Sequence, residues 1–176
     1  MKNILILYAH PNYQNSQTNK KLINGLEKIK NITINNLYQK YPNYNINIAV
    51  EQELLLQNDL IIFQFPYYWF NTTPLLKLFI DNVFEDGFAY GTNNKLKNKS
   101  LMCCITSGGS FERYSNDIGF SFNELLKPFE KTANYCGIKY LPPFIVADVY
   151  NLNESQLNRY TESYKNILNK FINDEK

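Results

Sequence analysis

One stretch in the middle of the chain combines an apolar run with an abrupt change to aromatic and turn-forming residues. Residues 61–65 have the composition of a strand buried on both faces, and Pro66 cannot continue a central strand because it has no N–H to donate. Residues 67–70 are all aromatic, residues 71–73 carry helix-capping side chains, and Pro74 is tolerated at a first helical position. The stretch therefore predicts a buried strand, an aromatic loop and a helix start.

Strand-like and helix-like segments alternate along the whole chain. The predicted strands are residues 3–9, 32–34, 59–65, 100–106 and 138–149, and the predicted helices are residues 16–30, 51–57, 74–83, 122–136 and 153–171. Pro128 predicts a kink or a restart within its helix, and residues 37–50 form a polar and aromatic excursion without a clear period. The alternation indicates one domain, residues 1–176, with a parallel sheet covered by helices on both faces.

Composition and charge exclude several classes of protein. The formal net charge is +2 with no block of lysines or arginines, which gives a nucleic-acid role little support. No secretory signal is evident, and no apolar run approaches the roughly 20 residues of a membrane span, so we expect a cytoplasmic protein. Cys103, Cys104 and Cys136 lack metal-ligand spacing, and we expect them to be buried reduced thiols rather than ligands.

Three loops follow predicted strands and should meet at one edge of the sheet: residues 10–19, 66–73 and 106–115. In an open parallel sheet, ligands bind at the carboxyl ends of the strands, beside the point where the strand order reverses. The first loop leads into a helix amino terminus rich in hydroxyl and amide side chains, which favours an anion such as a phosphate. It contains no glycine, so it is neither a dinucleotide-binding fingerprint nor a P-loop.

Each loop has a structural interpretation beside the functional one. The only histidine, His10, is either a site group or hydrogen-bonded to its own loop. Gly108 and Gly109 either let the backbone approach a ligand or form a flexible turn. The aromatic residues 67–70 either contact a flat ligand or cover a helix start or a dimer interface. Taken together, the loops favour a flat aromatic ligand that carries a phosphate.

Collinear segments from residue 4 to about residue 150 carry a family resemblance. They are residues 6–11 (ILYAHP), 37–46 (LYQKYPNYNI), 49–53 (AVEQE), 74–77 (PLLK), 88–91 (FAYG), 106–109 (TSGG), 135–137 (YCG) and 141–144 (LPPF). With these segments the chain resembles the flavodoxin-like NAD(P)H:quinone oxidoreductases of the DT-diaphorase type. Within that family it is most similar to the ancillary proteins of the glutathione-regulated potassium-efflux system.

The resemblance implies a fold and an activity. The fold is a flavodoxin-like three-layer α/β/α sandwich with a five-stranded parallel sheet in the order 2-1-3-4-5. The activity is two-step hydride transfer from NAD(P)H to FMN, with FAD as the alternative cofactor, and from the flavin to a quinone. The family is dimeric with sites at the interface, which would give the excursion at residues 37–50 a role across the dimer.

Two other functions stay open. The first is a regulatory ancillary subunit of a potassium-efflux antiporter, bound peripherally at the inner face of the membrane, with or without reductase activity. The second is a one-electron carrier of the flavodoxin type, although flavodoxins are generally acidic and lack the excursion.

The resemblance also implies roles for individual residues. The flavin phosphate and ribityl chain would contact His10, Ser16, Gln17, Thr18 and Asn19, and the isoalloxazine would lie among Tyr67, Tyr68, Trp69 and Phe70. The polar edge of the ring would meet Thr106, Ser107, Gly108 and Gly109, while Phe88 and Tyr90 match aromatics that line the substrate pocket. Tyr114 matches a catalytic tyrosine that stabilises the reduced flavin, and no metal is implied.

The sequence departs from the family pattern at three of these places. Tyr68 stands where the family usually has a glutamine, and Ser107 replaces a threonine but keeps the hydroxyl. Phe120 stands where the animal quinone reductases have a histidine that assists the tyrosine, so Tyr114 would act alone or with backbone donors.

Overall fold

A parallel sheet with helices on both faces forms the framework of the protein. The structure is a computed structural model that describes residues 1–115 and 119–174; the remaining residues of the predicted domain lie outside the described part. The strands are β1 (Ile4–Tyr8), β2 (Ile32–Asn36), β3 (Leu60–Pro66), β4 (Ser100–Thr106), β5 (Lys139–Tyr140) and β6 (Phe144–Val146). The helices are α1 (Gln17–Ile23), α2 (Leu37–Lys40), α3 (Ile48–Leu56), α4 (Pro74–Val83), α5 (Phe122–Leu125), α6 (Lys127–Tyr135) and α7 (Glu154–Asn173).

The strand order is β2-β1-β3-β4-β5, which confirms the predicted topology with one correction. The single strand expected at residues 138–149 is two short strands, β5 and β6, and both pair with β4. Pro142 and Pro143 lie between them, and neither can donate the N–H that a continuous ladder requires. The sheet therefore has six strands in five positions.

Alternation along β1 divides the core into two layers. All five residues of β1 are buried. Leu5 and Leu7 pack in a cluster that includes residues of α3, α4 and α6, whereas Ile4 and Ile6 pack in a cluster that includes residues of α1 and α7. Because successive side chains of a strand point to opposite faces, this division is the expected result of helices on both sides of the sheet.

Two helices differ from their predicted bounds for local reasons, and a third is divided as predicted. The first helix does not extend over residues 16–30, because Gly25 adopts a left-handed conformation (φ 83°) and a short 3₁₀ helix follows. In the excursion, α2 forms, and α3 begins earlier than residue 51 because the Asn47 side chain accepts a hydrogen bond from the Val50 N–H. The restart expected at Pro128 is observed, since α5 and α6 are separate helices and Pro128 lies in the first turn of α6.

Pro66 is the last residue of β3 rather than the first residue of the loop. It pairs with Thr106 of β4, whereas β1, on the other side, ends opposite Gln64. The missing N–H of Pro66 is thus placed where the ladder on one side has already ended, which is why this position tolerates proline.

The three cysteines are free and buried, and burial raises the pKa of each thiol. In residues 1–115 and 119–174, no group of three or more histidine, cysteine, aspartate or glutamate side chains is arranged to hold a metal ion. The same part of the chain contains no helix long and apolar enough to cross a membrane.

A buried carboxylate fixes the excursion to the rest of the fold. Glu51 of α3 has no exposed surface, and it accepts hydrogen bonds of 2.6 Å from each of Asn35, Lys40 and Tyr41. Burial, together with the hydrogen bond to Glu51, raises the pKa of Tyr41, so its hydroxyl stays neutral and donates. One side chain therefore joins β2, α2 and α3.

We expect Glu51→Ala to lower the free energy of unfolding by about 3 kcal/mol, because it leaves buried donors without an acceptor. Urea denaturation at neutral pH measures this change. Glu53→Ala, in the same helix but exposed, is the matched control and should change stability by less than about 0.5 kcal/mol. Equal losses for the two variants would contradict the role assigned to Glu51.

Candidate functional site

A cavity of about 430 Å³ opens at the carboxyl ends of β1, β3 and β4, where the three loops were expected to meet. A volume of this size is within the usual range for a cofactor site. The residues that line it are His10, Asn12, Asn15, Ser16, Gln17, Thr18, Asn19, Pro66, Tyr67, Tyr68, Thr106, Gly108, Val149 and Tyr150. Nine of the predicted site residues therefore share one cavity, together with a fourth loop, after β6, that the sequence analysis did not include.

His10 is held by the loop that follows it. Its Nδ1 accepts a hydrogen bond of 3.1 Å from the Asn12 N–H, so in the neutral ring the proton is on Nε2. Burial lowers the pKa of His10, which favours this neutral form. The structural and functional interpretations are thus compatible, because the loop fixes Nδ1 and the ring still lines the cavity with an N–H donor.

The first turn of α1 forms one wall of the cavity. Ser16 is the N-cap residue, but its side chain makes no capping hydrogen bond, and it lies beside the buried hydroxyl of Tyr8. Burial raises the pKa of Tyr8 to about 12, so this hydroxyl keeps its proton. The first N–H groups of a helix have no intrahelical acceptor, and such groups suit an anion at this wall.

Asn19 connects α1 with the sheet beneath the cavity. Its Nδ2 donates a hydrogen bond of 2.6 Å to Thr106 Oγ1. Its backbone carbonyl and its Oδ1 lie 3.3 and 3.4 Å from Gln64 Nε2, which donates to them. Gln64 has no exposed surface, and its Oε1 accepts from the hydroxyl of Tyr164 in α7 at 3.1 Å. The Asn19 side chain is therefore bound within the protein, and Gln64 and Tyr164 are site-supporting residues that sequence reasoning missed.

The aromatic loop is a tight turn that displays two large side chains. The Asn71 N–H donates to the Tyr68 carbonyl at 3.0 Å, and the two central residues, Trp69 and Phe70, have φ values of 46° and 63°. Positive φ at bulky residues is strained and is found mostly where function or surrounding contacts require it. Trp69 is 92% exposed and Phe70 is 56% exposed, so the turn holds both side chains outside the core.

Tyr67 anchors this turn from below. Its ring is buried, and its single O–H is shared between the carbonyls of Phe70 (2.9 Å) and Leu125 (3.3 Å). Burial raises the pKa of Tyr67 to about 12. The expectation that residues 71–73 cap α4 needs correction at Thr73, since its hydroxyl instead donates to the Ala9 carbonyl at 3.0 Å and ties the aromatic loop to the end of β1.

The two glycines after β4 leave room for tyrosine rings. An added methyl group at Gly108 would lie 2.5 Å from Cε2 of Tyr150, and one at Gly109 would lie 2.5 Å from Cε2 of Tyr114. Ser107 Oγ accepts from the Gly109 N–H, which orders this turn. Tyr150 is 85% exposed at the mouth of the cavity. The sequence signal that could have identified Tyr150 is an aromatic residue just after the last strand.

Other predicted site residues lie outside the cavity lining. Tyr114 stacks on Phe122 with a centroid distance of 4.0 Å and makes an edge-to-face pair with Phe70 at 6.2 Å, which places it beside the aromatic turn. Phe88 is buried in the core, and Tyr90 packs on Tyr135. Trp69, Phe70, Ser107 and Gly109 adjoin the cavity through their neighbours in sequence without lining it. The ligand contacts assigned to all these residues stay predictions.

Comparisons with known proteins agree with this fold. A family model described as a flavodoxin-like fold matches residues 2–168. The glutathione-regulated potassium-efflux system ancillary proteins KefF of Enterobacter sp. (strain 638) and Klebsiella aerogenes are each 40% identical over 168 residues, which is 94% of this chain and 94% of theirs.

Solved structures resemble the chain over nearly its whole length. A thermophilic tryptophan halogenase from Streptomycin violaceusniger has a TM-score of 0.90 at 34% identity and covers 98% of this chain and 99% of its own. General stress protein 14 from Treponema denticola, in complex with FMN, has a TM-score of 0.89 at 34% identity and covers 95% of this chain and 98% of its own. An NADPH-quinone reductase from P. pentosaceus has a TM-score of 0.87 at 30% identity and covers 99% of this chain and 99% of its own.

These names describe different activities, so the structural likeness by itself gives the fold and not one reaction. The match to the family model over residues 2–168 and the identity to KefF across almost the entire chain agree with the resemblance seen in the sequence. The chain belongs to the flavodoxin-like family, in the group that contains the KefF ancillary proteins.

Proposed function

We propose that the protein is an FMN-dependent NAD(P)H:quinone oxidoreductase. The observation that carries this proposal is one cavity in which a helix amino terminus, a histidine N–H donor and an exposed aromatic turn adjoin each other. The neighbours described as an FMN complex and as an NADPH-quinone reductase support it.

The residues present fit FMN. The first turn of α1 and the Nε2–H of His10 supply donors for a phosphate, and the hydroxyl of Thr106 lies at the floor of the same cavity. Beside this cavity, the turn that contains Trp69 and Phe70 exposes two aromatic side chains, and a flat ring would stack against them.

When bound, FMN supplies the hydride and electron chemistry, and the protein supplies orientation and electrostatics. Trp69 and Phe70 would hold the ring by stacking, and the hydrogen bond from the Tyr67 hydroxyl to the Phe70 carbonyl would support the turn that carries them. Tyr114, held between Gly109 and Phe122, would donate a hydrogen bond to the negative charge that develops on the flavin. Donors fixed before the reaction stabilise such charge without reorganisation.

A homodimer belongs to the same proposal. Phe88 and Tyr90 lie away from the cavity of their own protomer, yet they match substrate-pocket aromatics of the family. Trp69 and Phe70 are exposed apolar side chains beside the cavity, and a second protomer would cover them. The substrate site would then be closed by residues from both protomers.

A second candidate function is favoured by one observation, the 40% identity to KefF across 94% of both chains. In that case the protein would act as an ancillary subunit at the cytoplasmic face of a membrane potassium-efflux transporter, with or without turnover. Co-purification of the full chain with such a transporter from detergent-solubilised membranes would favour this function, and the two functions are compatible.

The reductase proposal predicts two absorbance changes in the FMN-loaded protein under anaerobic conditions. NADPH or NADH should bleach the visible flavin absorbance in proportion to the nucleotide added, and a quinone should then restore it. A loaded protein that keeps its absorbance with both nucleotides would exclude the reductase function and leave the ancillary or carrier function.

Trp69 is the only tryptophan, so its fluorescence reports on this site alone. We expect FMN to quench that fluorescence to saturation at one flavin per chain. Trp69→Ala should weaken FMN binding about tenfold through lost stacking, whereas Trp69→Phe should keep most of the affinity. Equal flavin affinities of the wild type and the Trp69→Ala variant would show that the ring does not bind at the turn.

A further inference from the structure

A row of buried polar side chains, joined by hydrogen bonds, runs from α7 to the floor of the cavity. Gln64 and Tyr164 have no exposed surface, and Gln64 is the only residue of the β3 segment 60–66 with a polar side chain. An amide in that position is unfavourable unless its groups are paired. Gln64 is paired on both sides, by Tyr164 and by Asn19.

The hydrogen bonds of the row all point the same way. The hydroxyl of Tyr164 donates to Gln64 Oε1, which commits that oxygen and turns the Gln64 amide N–H₂ toward Asn19. Asn19 accepts from this group through Oδ1, so its own N–H₂ faces Thr106 and donates to Oγ1 at 2.6 Å. Each residue thus fixes the orientation of the next, from α7 through β3 and α1 to β4.

The row ends on a hydroxyl whose proton is still available. Thr106 Oγ1 accepts from Asn19, so its single O–H must point elsewhere, and Thr106 lines the cavity. Within residues 1–115 and 119–174, no protein group accepts this proton. Hydrogen bonds in a chain polarise one another, so the donor at the end is strengthened by the donors behind it.

We propose that Gln64 and Tyr164 are positioning residues that orient the Thr106 hydroxyl as a hydrogen-bond donor to the ligand in the cavity. The inference rests on the proposed function, because the acceptor is an atom of bound FMN. If the row were purely structural, it would only hold α1 on the sheet. Its loss would then lower stability, and any change in ligand affinity would not depend on the Thr106 hydroxyl. A positioning row acts on the ligand only through Thr106.

A double-mutant cycle separates the two roles, because it measures coupling between sites rather than the size of each effect. The Kd of FMN is measured by flavin fluorescence for the wild type, Tyr164→Phe, Thr106→Val and the double variant. We expect Thr106→Val to raise Kd about tenfold and Tyr164→Phe about threefold, and the double variant to match Thr106→Val alone. Tyr140→Phe, which removes another buried phenol hydroxyl, on β5, is the matched control and should leave Kd unchanged.

The thermal midpoint of each variant is measured alongside the Kd. Gln64→Met removes the donor to Asn19, so it should raise the Kd of FMN in the wild-type background and leave it unchanged in the Thr106→Val background, as Tyr164→Phe does. A threefold effect of Tyr164→Phe in both the wild-type and Thr106→Val backgrounds would overturn the inference and leave a structural role. An unchanged Kd for Tyr164→Phe would overturn it as well. A wild-type protein that binds no flavin would refute the proposed function itself, and that result is visible before any variant is made.

Discussion

The parallel pairing of β3 with β1 on one side and β4 on the other is the constraint on which the site depends. Ile61 and Phe63 are buried between the two neighbours in a fixed register, so the carboxyl ends of all three strands reach the same edge. The loops that follow these strands therefore lie next to one another. The hydrogen bonds from Thr73 to Ala9 and from Asn19 to Thr106 join those loops to one another.

Strain and anchoring are combined at the aromatic turn. Trp69 and Phe70 adopt backbone conformations that bulky residues avoid, each at a cost of the order of 1–3 kcal/mol. The bond from the Tyr67 hydroxyl to the Phe70 carbonyl lies directly beneath them and helps to offset that cost. Two large apolar side chains are thereby held in solvent instead of collapsing onto the core, which is the arrangement that a flat ligand or a second protomer would require.

Much of the fold followed from the sequence because its signals are local and strong. The apolar runs of β1, β3 and β4 define these strands without tertiary information. The division of the last strand depends on two prolines that cannot donate hydrogen bonds to β4. The early end of α1 depends on the conformation of Gly25. Neither effect can be read from the spacing of apolar residues in the sequence.

The site was anticipated as a set of loops but not as a network. Nine predicted residues line the cavity, since the ends of neighbouring parallel strands must meet. The pairing of Gln64 with Asn19 and Tyr164 joins residues 45 and 100 positions apart, and only the packing of α1 and α7 on the same face of the sheet reveals it. Tyr150 was missed for a similar reason, because its loop reaches the cavity only through the pairing of β6 with β4.

The proposed function requires that one cavity hold the flavin, with its phosphate at the first turn of α1 and its ring at the aromatic turn. The most direct measurement is a crystal structure of the protein grown with FMN. We expect phosphate oxygens within hydrogen-bond distance of the Thr18 and Asn19 N–H groups and the ring against Trp69. Flavin density away from the carboxyl ends of β1, β3 and β4 would contradict it.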